Sequence, residues 1–312
     1  IIFLLKEVNI INDKSESNYF NSNYRIRTRG FLKIQDGCDN YCSYCIIPYL
    51  RGNLRSKPIN DIISEFKDMI HKGYKEIVLV GIHLGKYGID IGTSLLDLLK
   101  ILVQVEGEFR IRLSSLEVNE IKEELTSLIK ENNKICPHLH IPLQSGSNRI
   151  LERMNRKYSS EEFVEIVSSI RSELPLLRIG LDVIVGFPGE SIDDFNETAA
   201  VIDIIKPDYM HIFPYSDRVG TKAYNMKDKV PKFDIKARAA KLRDLANKLE
   251  IQSYQKMIGK YARVLLENES TGYSDNYFKV KSANYYKENT FKEFYIDKFD
   301  RDNKLLIGSI NS

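Results

Sequence analysis

Long apolar runs are missing from the start of this sequence of 312 residues. The longest there, residues 1–5, is too short to span a bilayer and has no basic flank or cleavage site, so neither a membrane helix nor a signal peptide is expected. Cysteine is scarce too. Four cysteines, three of them within eight residues, make no disulfide framework, and with no leader they point to a reducing, cytoplasmic setting. The net charge of +3 does not announce nucleic-acid binding, so any RNA contact must rest on where the charges lie. There is no Walker loop, dinucleotide glycine fingerprint or recognisable Ser/His/Asp arrangement, which removes those chemistries as default readings. With 43% hydrophobic and 29% charged residues, the chain is long enough for a large domain plus a smaller one.

The clustered cysteines stand in Cys38-Asp39-Asn40-Tyr41-Cys42-Ser43-Tyr44-Cys45, spaced C-x3-C-x2-C after a short apolar run at residues 31–34. Thiolates gathered on one loop select a soft metal centre. A structural zinc wants four ligands, usually as two separated pairs. Three thiolates instead satisfy three irons of a 4Fe-4S cube and leave the fourth open to a substrate or cofactor. On spacing alone, a zinc site completed by Cys136 or a histidine, and a chance group of thiols, stay open.

Downstream, apolar periodicity predicts alternating elements: helix 58–71, strand 76–80, helix 94–103, strand 109–113, helix 119–130, strand 138–143, helix 159–174, strand 180–185, helix 193–205 and strand 208–213. Ser159 and Glu162 open the fourth of these helices at capping-box spacing. With the strand before the cysteines, this is an α/β fold, a partial parallel barrel of six β-α units whose reactive groups belong at the carboxyl ends of the strands. The polar segments fall there: the cysteines, residues 81–85, Ser114 with Ser115 and Glu117, residues 144–147 and residues 186–190.

Beyond residue 216 the pattern changes. Residues 232–260 read as helix with eight Lys or Arg against three Asp or Glu, a basic face that suits either RNA or a solvated bridge. Short strands at 261–266, 277–281, 291–295 and 305–310 predict a small antiparallel β-barrel of the kind that binds oligonucleotides. Its eight basic and eight acidic residues cancel. The expected RNA contact is therefore base stacking on Tyr273 and Tyr277 beside Lys279, unless those rings are core.

With the aromatic Tyr44 just before its last cysteine, the motif resembles the signature of the radical S-adenosylmethionine (SAM) enzymes. The wider run, Lys33-Ile34-Gln35-Asp36-Gly37-Cys38 through Cys45-Ile46-Ile47-Pro48-Tyr49 with Arg51-Gly52 and Arg55-Ser56, resembles the methylthiotransferase branch. Val80-Gly81-Ile82-His83-Leu84-Gly85-Lys86-Tyr87-Gly88 is similar to the subgroup acting on N6-threonylcarbamoyladenosine beside the tRNA anticodon, at position 37. Gly272-Tyr273-Ser274-Asp275-Asn276-Tyr277 resembles the TRAM domain that ends tRNA-modifying members. The resemblance runs from about residue 29 to the end.

The resemblance implies a radical SAM barrel over 29–230, a basic connecting helix over 231–260, a TRAM-like domain over 261–312, and a linker or domain remnant over 1–28. It implies a 4Fe-4S cluster on Cys38, Cys42 and Cys45, with SAM chelated at the open iron and cleaved by one electron to a 5′-deoxyadenosyl radical. Tyr44 would then pack near the adenine and Gly81 would meet the methionyl amine. Ser115 and Glu117 would approach the ribose or methionyl end, and Val185 and Gly186 would flank the adenine. Gln144 and Asp182 are further cofactor contacts; His83 either faces the site or holds its loop. Cys136 is read as a structural thiol. The implied partners are tRNA, a flavodoxin- or ferredoxin-type electron donor and a sulfur donor, with no membrane. Family members also carry an N-terminal domain whose three cysteines hold a second cluster; residues 1–30 contain none, so these 312 residues are expected to cleave SAM without completing methylthiolation. The alternatives are a methylthiotransferase acting on isopentenyladenosine or on a ribosomal-protein aspartate and, outside the class, a zinc-stabilised RNA-binding protein.

Overall fold

The computed structural model describes residues 28–310, so the linker expected over 1–28 lies outside the described residues apart from Thr28. The strands of the first part are β1 (Arg29–Lys33), β2 (Gln35–Asp36), β3 (Arg55–Ser56), β4 (Glu76–Val80), β5 (Arg110–Leu113), β6 (His138–His140), β7 (Arg178–Val185) and β8 (Tyr209–Pro214). β1-β4-β5 and β6-β7-β8 pair in parallel, and the parallel bridges Ile111–Ile135 and Ser115–His140 join the two sheets. Among the described residues β1 and β8 do not pair with each other, so the six parallel strands form an open barrel. β2 and β3 make a two-stranded antiparallel pair beside the cysteine loop.

Strand alternation sorts the side chains. Leu32, Ile77, Leu79, Ile111, Ile179 and Leu181 turn outward and are fully buried beneath the helices. The helices Ile59–His71, Leu95–Leu102, Glu123–Glu131, Ser160–Glu173 and Ile192–Ile205 cover them. Ser159 and Glu162 do form a reciprocal capping box. Two boundaries move for clear reasons. The helix expected from 119 starts at Glu123 because Val118–Glu120 closes as a 3-10 turn, and β6 stops at His140 because Pro142 lacks an N–H and Gln144 takes φ +62°.

The long helix Lys232–Gln255 lies against β8 and buries Ala239, Leu242 and Leu249. After it come β9 (Tyr261–Leu266), β10 (Thr271–Ser274), β11 (Lys279–Ser282), β12 (Phe291–Asp300) and β13 (Leu305–Ser309), closed in the order β10-β11-β13-β12-β9. The closed barrel corrects one expectation, since it is not wholly antiparallel: β11 and β13 pair in parallel. A closed ring with an odd number of strands cannot alternate direction all the way round, so one pair must run the same way.

This second barrel docks on the end of the first where the strands begin. Glu76 is fully buried and accepts from Arg29 Nε at 2.6 Å, Arg110 Nε at 2.6 Å and Arg112 Nε at 2.9 Å. Arg110 and Arg112 then reach across, donating to Asp275 Oδ1 at 2.8 Å, Tyr273 O at 3.0 Å and Asp275 O at 3.0 Å. Tyr273 and Tyr277 stack on each other, centroids 5.0 Å apart, with Arg29 over both rings and Arg112 over Tyr277 at 4.6 Å. The stacking surface expected for RNA is thus occupied within the dock, because these rings cover the buried guanidinium layer. Lys279 points elsewhere, into a shallow groove with Lys281, Lys298 and Asn268.

Candidate active site

β2 delivers the chain to Gly37, which adopts φ +75°; a Cβ there would lie 1.9 Å from Asn53 O, so the turn into Cys38 requires glycine. Buried Gln35 braces this turn. Its Nε2 donates to Asp36 O at 2.8 Å and Gly37 O at 2.9 Å, and its Oε1 accepts the His83 N–H at 2.8 Å. The cysteine loop is then tied to the short helix Asn148–Arg153 and the residues after it. Ser43 donates from its N to Met154 O and from its Oγ to Arg153 O, and Asn155 Nδ2 donates to Asn40 O and Tyr41 O at 2.9 and 3.0 Å.

Cys38, Cys42 and Cys45 open into one cleft at the carboxyl ends of the strands, with about 1210 Å³ of empty space, part of it open solvent. Tyr44, Gly81, His83, Ser115, Glu117 and Gln144 also line it, so the structure brings these expected residues together. Val80, Ile82, Leu116 and Pro142 give it apolar walls. Ser114 Oγ, buried on the same lining, has no hydrogen-bond partner among the described residues.

Three expected contacts lie elsewhere. Asp182 sits deeper in the barrel, where its Oδ1 accepts from His140 Nε2 at 2.9 Å. Val185 is buried, and Gly186, at φ +76°, packs against Ile235 of the long helix, 2.3 Å from where a Cβ would stand. Cys136 is buried before β6, at the docking end, where burial pushes its thiol up to about 12; it cannot complete a site with the cysteine loop.

Arg156 was not legible in the sequence. Its buried guanidinium donates Nη1 to Cys42 Sγ at 3.5 Å, Nε to Tyr158 Oη at 3.1 Å, and Nη2 to the Glu117 carboxylate. Burial works to raise the Glu117 pKa and Arg156 works to lower it, leaving it above its ordinary value. Burial, together with the neighbouring Cys42 and Cys38, lifts the Cys45 thiol to about 11. Holding Cys45 as a thiolate here therefore calls for a bound cation.

The Radical SAM superfamily model matches residues 32–202. The chain belongs to the radical SAM superfamily. It is 44% identical over 276 residues to "Threonylcarbamoyladenosine tRNA methylthiotransferase MtaB" of Aquifex aeolicus, covering 88% of this chain and 67% of that protein. To "tRNA-2-methylthio-N(6)-dimethylallyladenosine synthase" of Clostridium tetani it is 41% identical over 246 residues, covering 78% of this chain and 54% of that protein. The chain thus spans between about half and two thirds of the length of these relatives. Among solved structures, the radical SAM methyltransferase TsrM of Kitasatospora setae, with cobalamin and a [4Fe-4S] cluster bound, aligns with a TM-score of 0.53 at 14% identity, over 62% of this chain and 36% of that one. That likeness is one of fold.

For a radical SAM protein the donor set fits. Three thiols share one cleft with a fixed guanidinium beside one of them, and the cleft continues past them between apolar walls and unsatisfied Ser114. No fourth cysteine stands on the loop.

Proposed function

We propose that this chain carries the catalytic barrel of a tRNA methylthiotransferase that places a methylthio group on carbon 2 of N6-threonylcarbamoyladenosine at tRNA position 37. The observation that carries it is the opening of Cys38, Cys42 and Cys45 into a single apolar cleft ringed by Tyr44, Ser115, Glu117 and Gln144. The names of the relatives at 43–44% identity support the choice of substrate, while others at 41% are named for N6-dimethylallyladenosine. A 4Fe-4S cluster with SAM, when bound, supplies one-electron cleavage of the sulfonium. The protein's own part is to hold and shield. The three thiolates grip the cluster, Arg156 balances charge at Cys42, Tyr44 and Leu116 exclude water, and Ser115, Gln144 and Glu117 offer polar contacts to a nucleoside-bearing ligand.

The same reading takes tRNA, a flavodoxin- or ferredoxin-type reductant and a sulfur donor as partners in the cytoplasm; no helix of the described residues is long and apolar enough to cross a membrane. Anaerobically loaded and reduced with SAM, the chain is expected to bind about four irons and to release 5′-deoxyadenosine, with both lost in Cys42→Ala. Zinc in place of iron, or undiminished 5′-deoxyadenosine from Cys42→Ala, overturns the reading; tighter binding of tRNA bearing N6-threonylcarbamoyladenosine than of the same tRNA without it tests the substrate, and methylthiolated nucleoside formed over several turnovers would refute the expectation that these residues stop at SAM cleavage.

A further inference from the structure

The ring of His83 stands between two acceptors. Its Nδ1 lies 3.6 Å from Cys38 Sγ and its Nε2 lies 2.5 Å from Glu120 Oε1. The side chain is 4% exposed, so neither contact is made through solvent. The ring's own backbone and its carboxylate partner are themselves fixed. The His83 main chain is held by Gln35, and Glu120 ends a capped turn in which its carboxylate also accepts the Glu117 N–H. Glycine at position 85 makes room for that carboxylate, since a Cβ there would stand 2.0 Å from Glu120 Oε2. A histidine that merely held its loop would need one anchor. This one is aimed from both sides, with a partner at each ring nitrogen.

We propose that His83 is a positioning residue for the cluster: its Nδ1–H donates to Cys38 Sγ, Glu120 orients the ring, and the bond raises the reduction potential of the cluster. The inference rests on the reading of Cys38, Cys42 and Cys45 as cluster ligands. A donor on a ligating sulfur draws charge from it and favours the reduced, more negative cluster over the oxidised one. Arg156 makes the matching contact on Cys42. Two of the three sulfurs therefore carry a side-chain donor. Of the other acids near the ring, Glu117 is paired with Arg156, and Asp39 lies 3.9 Å from Nδ1 and is paired with Lys86 at 2.7 Å.

The full chain, loaded anaerobically, is titrated with a chemical reductant while the EPR signal of the one-electron-reduced cluster is followed. His83→Leu is expected to make reduction tenfold less favourable, about 59 mV for one electron, with iron per chain unchanged. His83→Asn, whose amide N–H falls near the Nδ1 position, should restore most of the shift. Glu120→Gln should fall between. Wild-type protein should also show an exchangeable-proton hyperfine coupling to the cluster, a signal that decides the matter alone should His83→Leu fail to load. A loaded His83→Leu cluster at the wild-type potential, or wild-type protein without that coupling, overturns the proposal. Wild-type protein that takes up no iron refutes the cluster reading beneath it instead.

Discussion

Gly37 shows how tightly one residue sets the cysteine loop. Its positive φ and the nearness of Asn53 O leave no place for a side chain, and the obstruction is main chain, which cannot swing aside as a flexible side chain would. Gly37→Ala is expected to lower bound iron severalfold with little change in far-UV circular dichroism, since the turn and not the barrel is strained; full iron loading in that variant would contradict the account. The cysteines and Tyr44 were legible because their spacing lies within eight residues of sequence. Arg156 and Glu120 were not. Arg156 meets Cys42 across 114 positions and Glu120 meets His83 across 37, distances that only the closing of the barrel makes short.

Elements long enough to show a period were legible, and the short ones were not. The covering helices present apolar stripes such as Ile62 with Phe66 and Leu98 with Leu102. The helices Ile47–Arg51 and Asn148–Arg153 have five and six residues, too few for a stripe, and β10 is Thr-Gly-Tyr-Ser with no apolar alternation. The second of those short helices is fastened by Asp194, whose carboxylate accepts from Ser147 Oγ at 2.7 Å, Ser191 N at 2.7 Å and Ser191 Oγ at 2.6 Å, and pairs with Arg149. Asp194→Ala leaves these donors without an acceptor and is expected to cost about 1–3 kcal/mol, read as a lower denaturant midpoint with an unchanged slope.

At the scale of the whole molecule, strand order was legible from the alternation of elements, while the docking of the two barrels was hidden. Arg29, Glu76, Arg110 and Arg112 fall on three separate strands, and none neighbours another in sequence except across one residue. Burial disfavours a charged Glu76, but Arg112 and Arg110 outweigh it and hold the carboxyl well below its ordinary value. A depressed folded-state pKa gives stability that is fully present above the unfolded value, about 4.3, and is lost as pH falls through the folded one. Glu76→Gln is expected to cost about 3–5 kcal/mol near neutral pH and to flatten the loss of stability below about pH 4. Equal acid sensitivity in variant and wild type would rule this out.

The dock also fixes a length. The cleft opens where the strands of the first barrel end and the second barrel is fastened where they begin, so the two lie a strand's height apart. β8, with 6 residues, rises roughly 20 Å. A free nucleoside can fill the cleft but cannot reach past it to the groove of Lys279, Lys281 and Lys298. The first barrel is in this sense a gauge: any ligand that reached from the cleft to that groove would have to measure at least this height.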